Sequence, residues 1–276
     1  MDALARLNPF AARRDPKPLD SATELRYAEQ EPSPALSTHV LTYWSFAAAP
    51  DTAPHMHVIY PDGCVSLLVS STSSVAVMFG PRTSPHETRA VPGMRVWGVR
   101  FWPDVGGRVV GVPARELRDV VRTAPAAYAG FREMLSDVHD DATAWARMEE
   151  WCTARVDSWH VPDSRVRRAV EAITATAGTI QLAELATTCD LSPRQLQRLF
   201  RDATGLTIKE YARIRRYRTA LAPTLESEAQ SWARLAATFG FSDHAHLSRE
   251  FRTLTGTSPT GILERVAEIR HVNVRP

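Results

Sequence analysis

The sequence has little cysteine. Cys64, Cys152 and Cys189 lie far apart and make no CxxC pair. That excludes a disulfide framework and a cysteine-rich zinc site, and it fits a reducing cytoplasm. No apolar run is long enough to span a bilayer. The first ten residues show no basic stretch followed by a long apolar one, so no secretory signal is expected. No HExxH, phosphate-cradling glycine loop or nucleophile motif occurs, so an enzyme is the minority reading and no cofactor is expected. Net charge is also scarce: 33 Lys and Arg against 31 Asp and Glu give +2, which taken alone argues against a polyanion partner. The sum hides an asymmetry. Residues 161–276 carry 17 basic and 12 acidic side chains (+5), and the first 160 carry 16 and 19 (−3). With 276 residues, two domains are expected, each able to bury a core without staples.

Residues 1–35 are punctuated by Pro16, Pro18, Pro32 and Pro34 and read as a mobile or loosely docked arm. Residues 36–112 read as a β-rich domain of short strands. His57–Tyr60, the turn Pro61-Asp62-Gly63 and Cys64–Val69 give a hairpin signal. Residues 113–162 turn helical. Trp145, Met148, Trp151, Cys152, Val156 and Trp159 make an amphipathic stripe that fits either a dimer face or a surface docking on the β domain. His160 to Asp163 breaks the pattern and marks a domain boundary. Residues 163–268 are almost all helical, with Pro223 expected to end or kink one long helix, and 269–276 read as a tail.

That helical segment repeats itself. Leu182–Ala186 corresponds to Trp232–Ala236, Ser192 to Ser242, Phe200-Arg201 to Phe251-Arg252, and Thr204-Gly205 to Thr255-Gly256. The offset is 50 residues, then 51 after a one-residue insertion. Each copy reads as a short helix, a tight turn and a capped second helix, which is a helix-turn-helix. The second helix of such a unit lies in the DNA major groove. In the first copy Arg194, Gln195, Gln197 and Arg198 are not needed for a core. In the second copy the outward set is His244, Ala245, Ser248 and Arg249, with His246 beside them. Arginine can grip guanine O6/N7 and glutamine adenine N6/N7 bidentately.

Ala233–Ala236, Gly240–Asp243, Leu247–Arg252 and Thr255–Pro259 closely resemble the signature of the AraC/XylS family of bacterial transcriptional regulators. The β-rich half resembles, less specifically, the cupin-like sensor domains attached to them. The resemblance implies an α+β chain: a cupin-like β-barrel, a helical linker, and an all-α domain of two helix-turn-helix units joined by a long helix near Ile208–Leu221. It implies a sequence-specific regulator that binds a double-stranded operator. Arg194, Gln197 and Arg198 would be the base readers of the first unit, and His244, Ser248 and Arg249 those of the second. It implies a small-molecule effector, a homodimer, RNA polymerase as partner of an activator, and no membrane. Two positions depart from the family pattern: Ile208 stands where proline is usual, and Ala245 where a polar side chain is common.

Other residues invite sharper readings. His55 and His57 share one face of a strand, as in cupin metalloenzymes. With Asp62, Cys64 or His86 they would make a metal-dependent cupin enzyme with an accessory DNA-binding domain. The lack of a clear third ligand favours a strand-edge pair holding no metal. Cys64 has no cationic sequence neighbour and is expected to be buried and inert. Arg82, Arg89, Arg95 and Arg100 would suit a pocket for an acidic effector. His55, His57, Arg82 and Arg100 are the candidate effector-binding set.

Overall fold

The computed structural model describes residues 25–51, 53–226, 232–267 and 269–273. The strands are β1 (Leu25–Gln30), β2 (Val40–Ala48), β3 (His55–Ile59), β4 (Val65–Ser70), β5 (Val77–Phe79), β6 (His86–Ala90), β7 (Arg95–Phe101), β8 (Val121–Thr123) and β9 (Ile269–Asn273). Seven form one sheet in the order β8-β5-β4-β7-β2-β1-β9, and β3 and β6 form a separate ribbon. All pairs are antiparallel except β1 with β9.

Side-chain alternation gives the sheet two working faces. Val65, Leu67 and Val69 of β4 and Trp97, Val99 and Phe101 of β7 point to a buried core beneath the helices. Ser66, Leu68 and Ser70, with Val96 and Arg100, point the other way into a cavity under the ribbon. Gly98 makes that second face possible: a Cβ there would lie 2.6 Å from the Trp44 ring.

The helices are α1 (Gly106–Val109), α2 (Ala114–Leu117), α3 (Ala129–Glu133), α4 (Asp141–Thr153), α5 (Ser164–Ala175), α6 (Leu182–Thr188), α7 (Pro193–Thr204), α8 (Ile208–Glu226), α9 (Trp232–Thr238), α10 (His244–Thr255) and α11 (Pro259–Ala267). A sheet-rich domain thus precedes a helical one, the α+β layout expected. Trp145, Trp151 and Trp159 are buried in the same core as the sheet, so the stripe is the docking surface and not an open dimer face. Each such ring removes about 150–250 Å² from water, worth ~4–6 kcal/mol as an upper bound.

Several local expectations are corrected. The arm read over 1–35 includes β1, which pairs along its whole length with β2; residues 1–24 lie outside the described residues. The tail read over 269–276 includes β9, which pairs with β1. The helical stretch 113–162 contains β8, an edge strand of the main sheet. The hairpin is absent, because β3 pairs with β6 and β4 with β5 and β7. The chain between β3 and β4 instead crosses from one sheet to the other. Helix α8 runs past Pro223 to Glu226.

Candidate nucleic-acid interface and effector cavity

The two repeat copies are built with the same terminal chemistry. Helix α7 opens on a capping box: Ser192 Oγ accepts from Gln195 N–H, and Gln195 Oε1 accepts from Ser192 N–H at 3.1 Å. It ends at Gly205, φ +73°, whose N–H donates to Arg201 C=O. Helix α10 opens on Asp243, which accepts from His246 N–H at 2.6 Å, and ends at Gly256, also φ +73°. Thr204 donates to Phe200 C=O at 2.8 Å and accepts from Leu206 N–H at 3.1 Å. Thr255 does the same with Phe251 and Thr257 at 2.7 and 3.3 Å.

The cap at Asp243 refines the alignment of the copies. Ser192 matches Asp243 rather than Ser242, so the insertion falls before the cap and the helices correspond at an offset of 51. Gln195 then matches His246. The His246 Nδ1 accepts from Ser242 N–H at 3.2 Å, and its ring stands edge-on to Phe241. Both side chains thus build helix starts.

Arg194, Gln197 and Arg198 are exposed on α7, and His244, Ala245 and Arg249 on α10. Ser248 is buried, although its match in the first copy, Gln197, is exposed. Arg201 and Arg252 are exposed at matching positions, Lys209 is exposed beside the α7–α8 turn, and composition alone does not single them out. Their signal was the 51-residue match itself, since a lone surface arginine carries none. Helix α8 joins the units: Tyr211, Ile214, Tyr217 and Leu221 lie in the shared core, and Arg213 grips Glu250 of α10 through two bonds of 2.6 and 3.1 Å.

The helical domain packs directly on the sheet domain. Arg167 of α5 holds the buried Asp104 at 2.9 Å, donates to Thr38 C=O and covers the Trp102 ring. Burial raises the Asp104 carboxyl above its ordinary range, and Arg167 opposes that rise. Arg118 pairs with Glu210 at 2.5 Å, the same Glu210 that caps α8 through Thr207. Tyr217 Oη and Arg218 of α8 each donate to Pro61 C=O at 3.1 Å. The α7 C-cap lies so close to α2 that a Cβ on Gly205 would meet Ala114 C=O at 2.3 Å. The α10 C-cap lies beside Pro85, with 3.5 Å from a Gly256 Cβ to its Cγ.

Between sheet and ribbon is a cavity of about 370 Å³. Trp44, Phe46, Ile59, Leu68, Phe79 and Val96 give it apolar walls. His57 lines it and stacks on Phe46 at 4.5 Å. His55 holds the register position opposite Ala90; its side chain is outside the described residues. Arg82, Arg89 and Arg100 line the cavity, Arg95 does not, and Arg218 reaches it from α8. Arg218 could not be found from sequence, because only the folded chain brings it beside Pro61. Arg100 is held by Glu29 and Asp62, each at 2.9 Å. Burial works against its charge, but Tyr27, Asp62 and Glu29 outweigh that and keep it protonated. His86 is pushed below its ordinary value by burial, then by Arg82. Cys64 is buried, and burial raises its thiol well above the usual range. Among the described residues no three His, Cys, Asp or Glu side chains gather as a metal site, and no helix is long and apolar enough to cross a membrane.

Comparison with known proteins gives two family matches. Residues 185–265 match a helix-turn-helix domain, and residues 28–123 match a domain of unknown function (DUF6597). No curated protein matches. Among solved structures, an AraC-type transcriptional regulator from Chromobacterium violaceum is 24% identical over 38% of this chain and 93% of its own, with TM-score 0.35. A DNA-binding transcriptional dual regulator from Escherichia coli K-12 is 23% identical over the same shares, 38% and 93%, with TM-score 0.34. ToxT from Vibrio cholerae O395 is 8% identical over 90% of this chain and 99% of its own, with TM-score 0.42.

Proposed function

We propose that the chain is a DNA-binding transcriptional regulator of the AraC type, whose helices α7 and α10, within the helix-turn-helix match of residues 185–265, enter two successive major-groove segments of one operator. Arg194, Gln197 and Arg198 read bases in the first segment, and His244 and Arg249 in the second. Gln195 and His246 hold the helix starts, and the buried Ser248 is left out of the reading set. Arg201, Arg252 and Lys209 lie where phosphates would flank the reading helices. The observation that carries this reading is the paired construction: two helices with matching caps, each showing a polar, basic face while its apolar face is buried.

The test begins by selecting bound fragments from random DNA to define the operator. Arg198→Ala is then expected to cost about 1–3 kcal/mol and to relax preference at one base pair. Parent-like affinity in that variant would remove Arg198 from the reading set. Affinity should also fall steeply with salt, as counterions are released from the phosphates.

The cavity is the natural effector site, because Arg218 belongs both to its lining and to the helix that joins the two units. Effector occupancy would act through Pro61, Arg118–Glu210 and the two C-caps on the relation between the domains. A second copy of the chain and, for an activator, RNA polymerase are the protein partners of such a regulator in the cytoplasm. The domain match points to a regulator rather than an enzyme.

A further inference from the structure

Resting on the reading of the cavity as the effector site, we propose that its ligand is an amphipathic monoanion, a carboxylic acid with an apolar body, and that Arg82 is the residue that binds the carboxylate. The cavity wall is mainly aromatic and aliphatic, which selects an apolar body. Its charges select the head group. Asp62 is the one carboxylate among the lining residues, and it is bound to Arg100. Arg100 has a second partner in Glu29. Arg218 is engaged with Pro61 C=O, and Arg89 is exposed at the rim.

Arg82 differs from these. It is only 9% exposed, yet its hydrogen bond runs from Nε to Ser84 C=O at 3.2 Å. Its terminal nitrogens have no partner among the described residues, and it forms no ion pair there. The guanidinium carbon lies 5.5 Å from the Phe79 ring, which also lines the cavity. The terminal nitrogens of Arg82 are open to the cavity, where they present an unfilled fork of donors to an anion. One such group calls for one negative charge, and the fork geometry suits a carboxylate. His86 stands beside it as a neutral imidazole able to donate a further bond.

The loop carrying Arg82 is firmly set from behind. Thr83 donates to both oxygens of Asp119 at 2.7 Å, from its N–H and its hydroxyl. Asp119 N–H donates to Pro81 C=O. A Cβ on Gly80 would overlap Leu117 C=O at 1.8 Å, so this loop lies flush against the end of α2. An anion drawn to Arg82 therefore pulls on the segment that touches Glu210 through Arg118 and Gly256 through Pro85.

The experiment is calorimetric titration of the full chain with octanoate and 4-phenylbutyrate, each against its matched alcohol. The carboxylates are expected to bind at least about tenfold tighter than the alcohols, the value of a charge-assisted bond. Arg82→Gln should abolish that preference and leave alcohol affinity unchanged. Arg82→Lys, which keeps a charge, should retain part of it, separating ligand binding from support of the loop. Equal binding of acid and alcohol, or undiminished carboxylate affinity in Arg82→Gln, overturns the proposal. Leu68→Trp, which fills the cavity, separates the two layers of inference. If it blocks both probe classes while acids show no advantage, the effector cavity stands and the anion site falls. If no probe binds, or Leu68→Trp blocks none, both fall.

Discussion

Gly63 is required twice over. Its φ is +80°, a conformation that costs an L side chain, and a Cβ there would lie 2.8 Å from the Tyr211 ring. Gly63→Ala is expected to destabilise the chain by about 1–3 kcal/mol in urea unfolding. Unchanged stability would mean that this loop is not pressed against α8. At the same scale, exposure was legible where type and spacing agreed: Arg194, Gln197 and Arg198, the proposed readers of the first unit, are exposed on α7. Gln195 and His246 were harder because an amide or imidazole suits a base edge as well as a cap. Yet the spacing Ser192-x-x-Gln195 is itself a capping box, and that local signal outweighs the composition. Ser248 could not be resolved, since the matching position of the first copy, Gln197, is exposed and the repeat gives no sign of the difference.

Helix α5 depends on Asp163 for its start. The carboxylate accepts from Arg165 N–H at 3.0 Å and pairs with the Arg165 guanidinium at 2.7 Å. These bonds hold its pKa down to about 2. A depressed carboxylate contributes stability above its unfolded value near ~3.9 and loses it as pH falls toward the folded one. Asp163→Ala should therefore cost about 0.5–2 kcal/mol at pH 7 and progressively less between pH 4 and 2, by urea unfolding at each pH. A cost independent of pH would separate Asp163 from the cap. Caps of this kind make helices readable, because the donors and acceptors are only two or three residues apart. The strand order was not. His57–Tyr60, Pro61-Asp62-Gly63 and Cys64–Val69 carry the same signal whether the strands pair or part. What decides is remote: Pro61 C=O is held by Tyr217, 156 residues on. Likewise β1 lay hidden among prolines because its partner, β2, supplies the reason for its extension.

For the whole molecule, Arg167 and Asp104 are the test of how the domains hold together. The Asp104 carboxylate is fully buried, so Arg167→Ala leaves an uncompensated charge and should cost about 3–5 kcal/mol. Asp104→Ala/Arg167→Ala should be less destabilised than Arg167→Ala alone, as the charge is then gone. Burial raises the folded-state pKa of Asp104, so the penalty in Arg167→Ala should shrink as pH falls and the carboxyl protonates. A penalty that is pH-independent and equal in both variants would mean that packing, not charge, joins the domains there. The pairing of β9 with β1 adds a consequence of its own. The helical domain leaves the sheet domain at residue 163 and returns to it at residue 269, so it is tethered at both ends. Even with every interface bond broken, two tethers keep its effective concentration at the interface high and leave a swing in place of a release. Any opening between the domains is therefore expected to be a hinged swing, and removing residues 268–276 should widen its sweep, measured by small-angle scattering.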